Sequence, residues 1–236
     1  MRARISRLEP NHGVVRLSGL FKLTNKTHIC SLFVIMNAVT DMALVAQLRP
    51  QQRGVFSKSD LQSLLAERHP AAFTRRLATL QRHKALQRFA RGWYVTPGTF
   101  DLATLSQRVA PQSYISFAAV LARALVVGPV PQREIWAVKR GRSRTYRAGG
   151  FRLVHLGVAD HLFFGFNVED GVRWATPEKA FLDVLSFHLH GMRYPFDIYS
   201  DLSLDQLDQR RIEEYLAQYR NPKLVAFVHG VMRAQT

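Results

Sequence analysis

Cysteine is nearly absent from this chain: Cys30 is its one example in 236 residues. A disulfide framework and a cysteine-rich metal site are therefore excluded within one copy, and the usage fits a reducing cytosol. Long apolar runs are missing as well. The stretch HICSLFVIM (28–36) is too short to span a bilayer, and Asn37, Thr40 and Asp41 interrupt any extension of it. A secretory leader reads poorly, because residues 1–27 are mixed in character; Met36 offers an alternative start. Catalytic signatures are also lacking. There is no HExxH, no glycine-rich phosphate loop ahead of Lys-Ser/Thr, no nucleophile elbow, and no acidic cluster suited to a metal-dependent nuclease. The expectation is a non-enzyme with no cofactor, no metal and no membrane partner.

Acidic side chains are scarce too. Asp and Glu number 17 against 33 Lys and Arg, a formal charge of +16. An excess of this size points to an anionic partner, most often nucleic acid. The excess is uneven. Residues 1–97 hold 16 basic and 4 acidic residues, a net +12; residues 98–236 hold 17 and 13, a net +4. Such asymmetry suggests a nucleic-acid module joined to something else.

Residues 1–37 are expected to be a peripheral or disordered extension. Residues 38–97 read as a compact unit. A helix is expected over 38–48. A second follows over 56–67, with Ser57 as N-cap, Asp60 in its first turn and Leu61, Leu64 and Leu65 as its stripe. A third spans 71–86, with Pro70 near its first position. Two β-prone runs then surround Ala90-Arg91-Gly92, where Gly92 suits a hairpin turn. Three helices and a hairpin are the layout of a winged helix-turn-helix. On the third helix Phe73, Leu77 and Leu80 face inward. Thr74, Arg75, Arg76, Thr79, Arg82 and His83 are left on the outer face, with no acidic residue among them. These are the residue types that contact phosphates and major-groove base edges. With Lys58, Arg88 and Arg91 they form the expected DNA-binding set, and Arg75 and Arg76 are expected to be removable without harm to the fold.

Residues 98–113 read as a linker and 114–236 as a second, α+β part. A helix is expected over 114–128 and a strand over 134–144. Further strands fall over 151–157, 161–168 and 171–175, and helices over 177–190, 204–219 and 222–234. The sheet is expected to be short and mostly antiparallel. The run KRGRSRTYR (139–147) is a basic loop that could assist DNA binding. His188 and His190, two apart, do not share a helical face, so a metal site there is not expected. In VRWATPEKAFLDVLSF (172–187), Thr176 and Pro177 begin a helix and Glu178 suits its first turn. Lys179 is expected to be exposed, and adjacency makes Glu178 and Lys179 diverge rather than form a catalytic pair.

Several of these stretches together carry a resemblance. The winged helix ending in Arg91-Gly92-Trp93-Tyr94, the start Tyr114-Ile115-Ser116, the FFGF segment and the run Thr176 to Ala180 resemble, in order and spacing, the AbiEi family of antitoxins. That resemblance covers residues from about 38 to the C-terminus. It implies a DNA-binding repressor of its own promoter, acting on inverted repeats in double-stranded DNA. It also implies an antitoxin of a type IV toxin–antitoxin, phage-defence operon, whose C-terminal domain counters a nucleotidyltransferase-like toxin. Two other readings stay open: a winged-helix transcription factor with a ligand-sensing second domain, and a nucleic-acid-processing enzyme.

Overall fold

A computed structural model describes residues 26–129 and 132–234, with side chains from residue 37 onward. Residues 1–25, the greater part of the expected extension, lie outside the described residues. The first helix, α1, runs Lys26–Leu48; it starts well before residue 38, so the boundary expected there is not a helix end. Residues from Asp41 onward belong to one compact unit.

Within that unit, Gly54 leads into strand β1 (Val55–Ser57), which the short sequence pattern did not reveal. Helix α2 (Lys58–Leu64) starts in a capping box: the Ser57 hydroxyl accepts the Asp60 N–H at 3.0 Å and the Asp60 carboxylate accepts the Ser57 N–H at 2.7 Å. Helix α3 (Pro70–Arg82) has Pro70 in its first turn. Strands β2 (Gln87–Ala90) and β3 (Trp93–Val95) form a hairpin through Arg91-Gly92, with β1 on the far side of β3. Gly92 takes φ +79°, a conformation that costs a residue with a Cβ far more. Val45, Phe56, Leu61, Leu65, Phe73, Leu77, Leu80, Leu86 and Tyr94 close a small core between these elements.

The stretch read as a linker holds helix α4 (Leu102–Val109), capped by Asp101, whose carboxylate accepts the Ala103 and Thr104 N–H groups. Arg108 on α4 donates to the Gln52 side chain and to the Val55 carbonyl, tying α4 to β1. The helix expected over 114–128 is instead strand β4 (Ser113–Ile115) and a short helix α5 (Ala118–Arg123). Tyr114 and Ile115 are β-prone and both sit fully buried inside a sheet, so tertiary pairing overrides the helical spacing that follows them. Strands β5 (Glu134–Arg140), β6 (Arg144–Ala148), β7 (Phe151–Val158), β8 (Phe166–Glu169) and β9 (Val172–Ala175) complete a six-stranded sheet of order β6-β7-β5-β4-β9-β8. The basic run 139–147 thus spans the end of β5, a turn and most of β6. The sheet is mixed: three of its pairings are antiparallel, while β5–β7 and β4–β9 are parallel. The strand expected over 161–168 is reduced to β8, and Asp160–Leu162 form a 3₁₀ turn.

Helices α6 (Pro177–Leu189), α7 (Gln209–Leu216) and α8 (Pro222–Ala234) follow. The expected helix over 204–219 is interrupted, with Asp208 capping α7 after a 3₁₀ turn at 204–206. The architecture is α+β. A large apolar core joins the sheet to α4, α5, α6, α7 and α8, and Val55, Phe89 and Val95 from the N-terminal elements are part of it. Phe100 bridges the two regions, with its ring 6.2 Å from Phe89 and 4.7 Å from Phe151.

Candidate nucleic-acid interface and a buried polar network

Helix α3 separates its faces sharply. Phe73, Leu77 and Leu80 are buried, whereas Thr74, Arg75, Arg82 and His83 are exposed and Thr79 is half-exposed. Lys58 at the start of α2, Arg88 on β2 and Arg91 in the hairpin turn are also exposed. The side chains of Lys58, Arg75, Arg82, Arg88 and Arg91 have no ion-pair partner among the described residues, so their charge faces solvent. The Thr74 hydroxyl donates to the Pro70 carbonyl at 2.9 Å and keeps its acceptor capacity. Arg68 and Lys84, just outside the expected set, are exposed as well.

Arg76 departs from expectation. It is half-buried and reaches inward: Nε donates to the Asp41 carboxylate at 2.9 Å, a second donor meets the other Asp41 oxygen, and Nη1 donates to the Leu65 carbonyl at 2.9 Å. Glu67 lies 3.7 Å away. Asp41 is almost fully buried. The hydrogen bonds donated to the Asp41 carboxylate raise Arg76 above its ordinary range. Arg76 therefore ties Asp41, in the C-terminal part of α1, to α3 and the loop between α2 and α3, and its donors are spent there rather than on the outer face. The helical wheel missed this because Asp41 lies 35 residues away along the chain.

A second cluster sits where α6 begins. Thr176 accepts the Lys179 N–H at 3.3 Å, the capping role expected of it. Lys179, expected at the surface, is completely buried, because Glu178 to Leu185 are buried without interruption. Its ammonium donates to Asp183 one turn on and to the Tyr219 hydroxyl at 2.7 Å. It also lies 4.9 Å from the centre of the Phe164 ring. Asp183 accepts Ser116 at 2.7 Å, Tyr114 at 3.1 Å and Tyr219 at 3.1 Å. Burial lowers Lys179 below its usual range and raises Tyr114 and Tyr219 well above theirs. Two motifs far apart in sequence, Tyr114-Ile115-Ser116 and Thr176 to Ala180, thus meet on one carboxylate. With every member buried and the carboxylate saturated by donors, the cluster pins β4 to α6 and to the 217–219 turn. It presents no surface to a substrate. Glu178 diverges from Lys179 as expected; its carboxylate accepts the Asp208 N–H at 3.3 Å, and its other oxygen, without a hydrogen bond among the described residues, stands 3.7 Å from Arg211.

His188 stacks on Phe227, while His190 shares a hydrogen bond with the Ser186 carbonyl. Among the described residues no group of three or more His, Cys, Asp or Glu is placed to hold a metal ion. No described helix is long and apolar enough to cross a membrane.

The fold is α+β, with exposed basic side chains on α3 and on the β2–β3 hairpin. No protein-family profile matches the chain, and no curated protein does. Among solved structures the chain is similar to the Rv2827c protein of Mycobacterium tuberculosis, with a TM-score of 0.54 and 14% sequence identity over 80% of this chain and 75% of that one. At that identity the likeness speaks for the fold alone.

Proposed function

We propose that residues 38–97 work as a winged helix-turn-helix that binds double-stranded DNA, with α3 as the recognition helix and the β2–β3 hairpin as the wing. The observation that carries this reading is the exposed row on α3. Arg75 and Arg82 stand there beside Thr74 and His83 with no ion-pair partner among the described residues, and Arg88 and Arg91 are exposed on the hairpin. Unpaired guanidiniums on a rigid helix suit phosphate and guanine contacts. Together with the resemblance of the motif series to AbiEi antitoxins, this supports a cytoplasmic repressor. It would act on inverted repeats in its own promoter and counter a nucleotidyltransferase-like toxin through residues 114–236.

Fluorescence anisotropy with a labelled duplex from the chain's own upstream region tests the DNA claim. Five cations, Lys58, Arg75, Arg82, Arg88 and Arg91, on phosphates give a log K against log salt slope of about −4.5. Arg75→Ala with Arg82→Ala is expected to remove most of the binding and flatten that slope. A slope near zero, or binding untouched by the double substitution, overturns the assignment of α3. Co-expression with the adjacent gene, scored as growth, tests the antitoxin role separately. Incubation with DNA and Mg²⁺ tests the enzyme alternative, and strand cleavage would establish it.

A further inference from the structure

A cavity of about 270 Å³ opens beside β5, walled by the rings of Phe117, Trp136 and Tyr194 and bordered by Glu134, Arg152 and Arg193. The three rings are mutually packed, with centroids 5.6 Å (Phe117–Trp136), 6.1 Å (Phe117–Tyr194) and 5.9 Å (Trp136–Tyr194) apart. Their polar ends are tied back into the protein. The Trp136 indole N–H donates to Glu134, and the Tyr194 hydroxyl donates to the Val184 carbonyl at 3.0 Å. The apolar walls are thus held in place before anything binds.

The border is not satisfied. Arg152 donates to Glu134 at 2.6 Å, but its Nε is buried with no hydrogen-bond partner among the described residues. Arg193 is exposed and uses one nitrogen on the Met192 carbonyl, leaving the rest of its fork unengaged among the described residues. Two guanidiniums against one carboxylate leave the rim positive. Phe117 holds φ +60° and ψ −145°, a region that a bulky residue rarely occupies, and its ring is at the centre of the wall. Strain of this kind collects at ligand sites.

We propose that this cavity is a binding site for a small planar aromatic carboxylate, its ring lying against the wall that Trp136 and Tyr194 form and its carboxylate taken by Arg193 at the positive rim. The volume lies just below the roughly 300–1,000 Å³ of pockets that hold drug-sized ligands, so the ring system is one or two fused rings. A guanidinium fork matches a carboxylate with two parallel hydrogen bonds, which makes the acid, rather than its neutral analogue, the preferred form.

Isothermal titration of the full chain with 2-naphthoate, without DNA, tests the site independently of the DNA-binding proposal. 2-Naphthamide serves as the uncharged control. Saturable one-to-one binding of the acid is expected, at least about tenfold tighter than that of the amide. Arg193→Ala, at an exposed position, is expected to erase that preference while leaving the thermal midpoint unchanged. The Trp136 indole N–H resonance should shift on addition of the acid, with those of Trp93 and Trp174 unmoved. Absence of binding at millimolar acid, equal binding of the amide, or an unmoved Trp136 signal each overturns the proposal.

Discussion

Arg75 and Arg76 are neighbours with the same chemistry and opposite jobs. Arg75 faces water; Arg76 neutralises the buried Asp41. Removing one partner of a buried pair strands the other charge, so Arg76→Ala is expected to cost about 2–4 kcal/mol, read as a lower urea midpoint. Arg75→Ala should leave that midpoint within about 0.5 kcal/mol. A similar argument applies to His155. It is fully buried, with Nε2 sharing a 2.8 Å hydrogen bond with Ser106 and Nδ1 unpartnered among the described residues. Burial, and then the charge of Lys139, pushes its pKa down from 6.5 to about 4. The unfolded chain therefore binds the extra proton between those values, and stability falls as pH drops through that window. The full difference is roughly 3 kcal/mol. Urea midpoints measured from pH 7 to pH 4 check this, and His155→Gln is expected to reduce the slope.

At the level of elements, the cap at the start of α6 carries more than a helix terminus. Thr176 holds the first turn, and Lys179 in that turn holds Asp183, Tyr219 and through Asp183 also Tyr114. Gly165 takes φ +71° and packs its α-carbon so close that a Cβ would stand 3.1 Å from the Lys179 stem. Gly165→Ala thus combines backbone strain with a tight contact against a fully buried side chain, and is expected to lower stability by about 1–3 kcal/mol in thermal or urea melts. The capping pattern at 176–178 was readable from sequence, since caps are local. The burial of Lys179 was not, because helical spacing says which residues share a face but not how many faces are covered. Strand β1 was hidden for a related reason: three residues show no period.

For the whole molecule, the two regions expected to be separate share a core. Val55, Phe89 and Val95 belong to the large apolar cluster, α4 stands where a linker was expected, and Arg108 fastens α4 to β1. A fragment of residues 98–236 would uncover these contacts. It is expected to unfold less cooperatively and at a lower midpoint than the full chain, by calorimetry. An isolated fragment as stable as the full chain would show that the shared core contributes little.

Charge asymmetry, the Ser57 and Thr176 caps, the Gly92 turn and the inward stripe Phe73-Leu77-Leu80 are consequences of composition and of neighbours within a turn or two, so the sequence by itself determined them. Tertiary structure alone decided which arginine of an adjacent pair faces solvent, which lysine is buried, whether 114–128 is strand or helix, and how three aromatic rings from distant segments form one wall of a cavity. Each of those depends on partners tens of residues away, and burial by such partners outweighs local preference wherever a charge or a strand must be satisfied.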